Sequence, residues 1–328
     1  MAIARDAVAT GTGAYDVDQV ESLNHALGRV ALQIAPAAKP VRVRKLGGGV
    51  LTTMHAFDLV TDVGAQPLVL RRYRPGEEWR SVMEGLLRTL TVLEAEGLPA
   101  PRALWSDAHG MSFGVPAVIL TRFRGRPVGR PFDLMSWARQ LGAALARVHA
   151  VPLKSYDFSY LPPAFEVAPT LLERALAPTP VVAAHPLAGT VLPELIKLHN
   201  ALVLNGPVFT HGDFWPGQSI WWRGHLEGIV DWDFPRLDDP GIDLGYCRMD
   251  IALLTNVSVA DEFLFAYVEA SGRPAPHMPF WDLLAVYQAI EHPGRWHREG
   301  FAGIGRTDLH GDELELKLAE FVRAVRPQ

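Results

Sequence analysis

Cysteine is almost missing from this chain: Cys247 is the only one. That excludes an intramolecular disulfide framework and any multi-cysteine metal site, and Cys247 reads as a small buried apolar residue. No stretch approaches the roughly 18 consecutive apolar residues of a membrane-spanning helix. The opening residues, Met1 to Asp6, lack the long apolar core of a secretory leader, so the expected location is the cytoplasm. Neither sign of charge dominates. With 31 Lys and Arg against 36 Asp and Glu, the formal net charge is −5, which argues against a nucleic-acid or polybasic membrane partner and is too small to define a cationic ligand. Internal repeats and low-complexity segments are absent.

What is present is ordinary globular material in quantity. The chain has 328 residues, 48% of them hydrophobic and 20% charged, so it can bury a large core and exceeds a typical single domain. Residues 1–15 are small, polar and glycine-rich and read as a tail. Helical spacing then runs through Val20, Leu23, Leu27, Val30, Ala31 and Ile34, with Asp16 or Asp18 as cap and Pro36 as terminator. Alternation over Val41–Leu46 predicts a strand that leads into Gly47-Gly48-Gly49. A second strand runs through Phe57, Leu59 and Val60, and a third through Leu68–Tyr73. Further helices are predicted over 79–95, 134–149, 170–177, from Leu192 to Leu202, and over 260–270, 280–291 and 313–325, with strands at 103–105 and 115–122.

The densest chemistry lies between Pro207 and Asp243. It reads Thr-His211-Gly212-Asp213-Phe-Trp-Pro-Gly-Gln218, then Gly-Ile-Val-Asp231-Trp-Asp233, then Asp239-Pro-Gly-Ile-Asp243. A kinase catalytic loop needs a carboxylate to take the acceptor's proton and, at the spacing Asp-x4-Asn, an amide oxygen for magnesium. Asp213 and Gln218 have that spacing, with an amide one methylene longer. Leu226, Ile229 and Val230 suggest a short strand ending at Asp231, where a second magnesium ligand belongs. Asp233, Asp238 and Asp239 read as turn or cap residues.

His211-Gly-Asp-x4-Gln, Ile-Val-Asp-Trp and Asp-Pro-x-x-Asp-Leu, in this order, resemble the aminoglycoside phosphotransferase family, which is itself similar to choline and homoserine kinases. The resemblance implies an α+β, bilobal protein-kinase-like fold, with a small N-terminal antiparallel-sheet lobe and a larger, mainly helical C-terminal lobe. It places the lobes at 16–125 and 126–328, divided near Gly125. It implies that Asp213 is the catalytic base, that His211 supports the loop, that Asp243 braces it, and that Gln218 and Asp231 hold Mg2+. Gly47, Gly48 and Gly49 would then cover the phosphates of ATP or GTP, although a plain hairpin turn also accounts for three glycines. Thr52 or Thr53 would stand in for the polar residue after the glycines. Arg71 would be the cation of the third strand, with Glu84 its helical partner, and a solvated strand-end arginine is the plainer alternative. Leu120 to Arg122 would face the adenine ring. Past Asp243 the family lines its acceptor pocket, so Asp250, Glu291, His292, Arg295 and Trp296 are substrate candidates. His149, at the end of a helix that resembles the family's first large-lobe helix, reads as a packed, hydrogen-bonded residue.

The expected partners are a nucleotide and a hydroxylated small molecule. Because glutamine replaces the expected asparagine at 218, a nucleotide-binding module with weak or no turnover remains the alternative to an active O-kinase. A metal-dependent phosphohydrolase using His211, Asp213 and Asp231 would leave the glycine loop and the first lobe without a role.

Overall fold

A computed structural model describes residues 20–47, 52–291 and 300–327. The chain divides into two compact units, Met1–Arg124 and Gly125–Gln328.

The first unit is a five-stranded antiparallel sheet carrying two helices. Helix α1 (Val20–Ile34) precedes β1 (Lys39–Leu46), β2 (Thr53–Thr61) and β3 (Gly64–Arg72), and helix α2 (Glu77–Ala95) connects to β4 (Ala103–Asp107) and β5 (Ala117–Thr121). The strand order is β1-β2-β3-β5-β4. The apolar stripe of α1 explains its docking. Leu23, Leu27, Val30 and Ala31 meet Phe57, Leu59, Leu68, Leu70 and Ile119 in one buried cluster. Burying each of the larger aliphatic side chains contributes about 1.5–3 kcal/mol. The caps proposed for α1 at Asp16 and Asp18 lie outside the described residues.

Strand β1 is less regular than its alternating sequence suggests. It is an edge strand with a register shift between Val41 and Arg44, and Arg42 sits there at φ 55°. Such a bulge twists an edge away from further pairing. Helix α2 has Glu77 and Glu78 in its first turn, where the exposed backbone N–H groups favour negative charge. It ends in a Schellman turn: Gly97, at φ 63°, lets Leu98 N–H reach the carbonyl of Leu93 at 2.9 Å.

The second unit is mainly helical, with two small antiparallel ribbons. Its principal helices are α3 (Leu134–His149), α4 (Val167–Leu176), α5 (Ala188–His199), α6 (Gly241–Leu254), α7 (Val257–Ser271), α8 (Met278–Glu291) and α9 (Asp312–Val325). One ribbon pairs β6 (Val208–Thr210) with β9 (Arg236–Asp238), and the other pairs β7 (Ser219–Trp222) with β8 (His225–Ile229). Two helix crossings are close enough to require glycine. A Cβ on Gly142 of α3 would lie 2.3 Å from the Phe263 carbonyl oxygen of α7, and one on Gly245 of α6 would lie 2.4 Å from the Trp281 carbonyl oxygen of α8.

The antiparallel sheet unit and the helical unit bear out the expected fold class. Element boundaries move by a few residues. The 170–177 helix starts at Val167, and the one expected to reach Leu202 stops at His199. Helix α6 had no clear apolar stripe to announce it, because it is buried nearly all round, Arg248 and Asp250 included. Among the described residues no helix is long and apolar enough to cross a membrane.

Candidate active site

Local backbone geometry builds the site. Chain reversal at Arg223-Gly224, both at positive φ (51° and 84°), closes the β7–β8 hairpin as a tight turn of this kind requires. Its register pairs Ser219 with Ile229, and Val230 N–H donates to the Gln218 carbonyl at 2.8 Å. Gln218 and Asp231 therefore flank the open end of one hairpin. Asp231 itself lies at φ 68°, a left-handed conformation costing about 1–2 kcal/mol in a residue with a Cβ. Such strain is characteristic of sites where direction matters more than local stability.

The loop before β7 carries His211, Gly212 and Asp213. Gly212 has φ 77°, and a Cβ there would lie 2.1 Å from the Phe234 carbonyl oxygen, so no other residue fits without displacing one strand of the loop. Asp243, near the start of α6, accepts N–H bonds from His211 (2.7 Å, Oδ2) and Gly212 (3.0 Å, Oδ1). Behind it lies His149, whose Nε2 is 3.2 Å from Asp243 Oδ2 and whose Nδ1 is 2.9 Å from the Tyr267 hydroxyl. Facing an acceptor-only carboxylate, Nε2 carries a proton. Burial would raise the Asp243 pKa, but the hydrogen bond and charge of His149, with His211, more than offset it and hold the group below its ordinary value.

His211 is fully buried, and both ring nitrogens are engaged. Nε2 donates to the Val230 carbonyl at 2.9 Å, and Nδ1 accepts the Asp213 N–H at 3.3 Å. Burial lowers its pKa, against the opposing charges of Asp243 and Asp231. The neutral ring links the loop to the hairpin. It packs tilted against Trp232, with centroids 4.3 Å apart, and Trp232 in turn stacks on Phe209. Asp239 fixes the turn into α6, accepting from Gly241 N–H at 2.8 Å and from Asn205 N–H at 2.7 Å. Its neighbour Asp238 is pushed up to about 6, chiefly by burial.

At the centre, the Gln218 amide nitrogen lies 3.0 Å from Asp213 Oδ2 and 3.0 Å from Asp231 Oδ2. As placed, the amide turns its nitrogen to both carboxylates; its oxygen and the carboxylate of Asp231 are ligands of the type magnesium takes. Among the described residues no group of three or more His, Cys, Asp or Glu could hold a metal.

The remaining sequence candidates are more dispersed. In the first unit Arg71 of β3 donates from Nε to Thr52 Oγ1 at 3.2 Å and lies over the Tyr73 ring at 5.4 Å. Glu84 is half exposed and pairs with Arg80 of its own helix at 3.9 Å. It falls beside, not within, the buried stripe of Met83, Leu86 and Leu90, so the structure joins Arg71 to Thr52 and not to Glu84. Gly47 is exposed at the end of β1, while Gly48 and Gly49 lie outside the described residues. Leu120 pairs with Val69 within the sheet. Arg122 donates its backbone N–H to Pro67 and pairs its side chain with Asp58 at 2.9 Å. In the second unit Asp250 is buried in α6. Glu291 ends α8 in a two-pronged pair with Arg174 of α4 at 2.8 and 2.7 Å, and accepts the Tyr287 O–H. His292, Arg295 and Trp296 lie outside the described residues. Tyr267 was not singled out from sequence, and His149 was read only as a packed, hydrogen-bonded residue; both join Asp243 through tertiary packing. The one available signal was that the apolar stripe of α3 ends in a histidine.

A sheet unit followed by a helical unit, with a carboxylate loop and a hairpin-borne second carboxylate, is the arrangement of kinase-like phosphotransferases. A macrolide 2′-phosphotransferase from Brachybacterium faecium superposes with a TM-score of 0.63 at 17% identity, over 90% of this chain and 97% of that one. The aminoglycoside phosphotransferase APH(2″)-IIIa, solved with GDP and kanamycin, gives 0.62 at 17% identity over 92% and 99%. In sequence, a homoserine kinase from Methylocella silvestris is 32% identical over 197 residues, 58% of this chain. The chain spans about 59% of the length of that curated relative. Residues 43–280 match the model of the phosphotransferase enzyme family, and the chain belongs to that family.

Proposed function

We propose that this protein is a small-molecule O-kinase that moves the γ-phosphate of ATP or GTP to a hydroxyl group in the cytoplasm. The observation carrying the reading is the convergence of Asp213, Gln218 and Asp231 on one point, in a chain whose family is phosphotransferases. Asp213 orients the acceptor hydroxyl and takes its proton as the acceptor oxygen bonds the γ-phosphorus. The bond to the nucleoside diphosphate breaks as that new bond forms. Positioning supplies most of the rate, since phosphoryl transfer asks little covalent chemistry of the protein. Gln218 and Asp231 would hold magnesium, which would supply positive charge against the phosphates. Asp243 and His211 keep the loop in place.

The acceptor is a hydroxylated metabolite or antibiotic. The sequence likeness to a homoserine kinase puts homoserine first among acceptors to try, ahead of macrolides and aminoglycosides. A second reading, nucleotide binding with little turnover, is favoured by one detail: Gln218 presents its N–H2, not its oxygen, to both carboxylates.

Transfer from ATP and GTP with magnesium, measured across these acceptors, separates the two. The kinase reading expects acceptor-dependent turnover that falls about 10²–10⁴-fold in Asp213→Ala. Turnover that appears only in Gln218→Asn would establish the second reading.

A further inference from the structure

We propose that Gln218 is a metal-responsive positioning residue: its amide N–H2 ties Asp213 to Asp231 in the resting chain and releases them when a divalent cation enters. The metal half of this inference rests on the kinase reading of the site. The geometry is specific to this glutamine. One amide nitrogen carries two hydrogens, and it lies 3.0 Å from an oxygen of each carboxylate. Ionised carboxylates only accept hydrogen bonds, so the oxygen end of the amide could not occupy that place. Two like charges facing each other in a partly buried site repel, and a donor shared between them offsets that repulsion.

A cation held by Asp231 and Gln218 would change what the amide must do. It needs oxygen ligands, so the same amide has to turn over and present Oε1. The backbone is not free to help. Gln218 N–H is held by the Trp215 carbonyl at 2.9 Å, and the Gln218 carbonyl accepts from Val230 N–H at 2.8 Å. The turn is therefore confined to the side chain, and glutamine's extra rotatable bond supplies it. The additional methylene, which looks like a defect for metal ligation, lets one side chain serve both states.

The test is the melting temperature of nucleotide-free full-length protein, with and without magnesium chloride against matched potassium chloride. It compares wild type, Gln218→Leu, Asp231→Asn and the double variant. Leucine keeps the bulk and removes the donor. We expect Gln218→Leu to melt several degrees lower, about 2–4 °C for each hydrogen bond's worth of stability in a unit of this size, and magnesium to restore most of the loss. In the Asp231→Asn background the same change should cost much less, because the repulsion is already gone. A loss equal in both backgrounds and untouched by magnesium would overturn the proposal and leave Gln218 as packing. If Gln218→Leu does not fold, Gln218→Glu serves: a third carboxylate should melt lower without metal and gain more from magnesium than wild type, and a gain no larger than wild type's overturns the idea. Phosphoryl transfer is assayed separately. A metal response without transfer to any acceptor would sink the kinase reading and leave the positioning role standing.

Discussion

Asp243 and Asp282 sit in the same helical unit, each about 1% exposed, yet their electrostatics run in opposite directions. Asp243 is surrounded by donors, two loop N–H groups and the His149 ring, and its pKa is held below the ordinary value. Asp282, on α8, has Arg248 at 3.4 Å, and its Oδ1 has no hydrogen-bond partner among the described residues. Burial pushes it up to about 7, only partly opposed by Arg248. The difference teaches that burial alone does not decide the charge of a carboxylate; the number and aim of donors do. In the site, donors converge on Asp243 from the 211–212 loop backbone and from the last residue of α3. Between α6 and α8, close helix packing at Gly245 brought a charged pair together without supplying a full set of partners.

The largest expected effect comes from removing the well-served member. Asp243→Ala strips an acceptor from two buried N–H groups and from His149, which should cost about 3–5 kcal/mol. Denaturant unfolding would report the loss, and transfer activity should vanish with the loop geometry. If Asp243→Ala unfolds like wild type, the contrast between the two aspartates means nothing for stability.

Next in size is a reversal of pH dependence. Asp282 has a folded-state pKa raised from 3.8 to about 7. Between those values the folded chain holds a proton that the unfolded chain has lost, so its contribution to stability is greatest below the window and falls as pH rises through it. Asp243, lowered, contributes the opposite way: its stabilisation is present above the unfolded value and is lost on acidification. Asp282→Asn should therefore flatten the fall in stability between mildly acidic and neutral pH. Unfolding curves at several pH values check this, and an unchanged slope would mean Asp282 is charged throughout. Smallest is Tyr267→Phe, which deletes only the hydroxyl that orients His149. Its expected cost is about 0.5–1.5 kcal/mol, measured by the same unfolding curves, with Asp243 keeping its other donors.

Much of the fold was legible in the sequence. The stripes of α1, α2 and α3 and the alternation of the sheet strands mark elements with one buried face, and these appear where spacing puts them. Helix α6 did not announce itself, because a helix buried on every side has no stripe. Strand β7 was missed because Ser219-Ile-Trp-Trp alternates too briefly to signal a strand without its partner β8. Within the site, the string His211, Asp213, Gln218, Asp231 and Asp243 could be read along the chain. That one amide would touch both carboxylates could not, because it depends on the hairpin register. Glu84 shows the converse failure: its position suggested a partner for Arg71, but its rotation about the helix turns it to Arg80.

The sequence by itself determined the elements with periodic burial and the order of the polar loop residues. These are local properties, set by backbone sterics and by which face of each element is apolar. Only the tertiary structure decided that His149 and Tyr267 stand behind Asp243, that Gln218 lies between two aspartates, and that Asp282 is buried with few donors. Each of these depends on distances between segments far apart in the chain, and the polarity of a buried site is the sum of those distances.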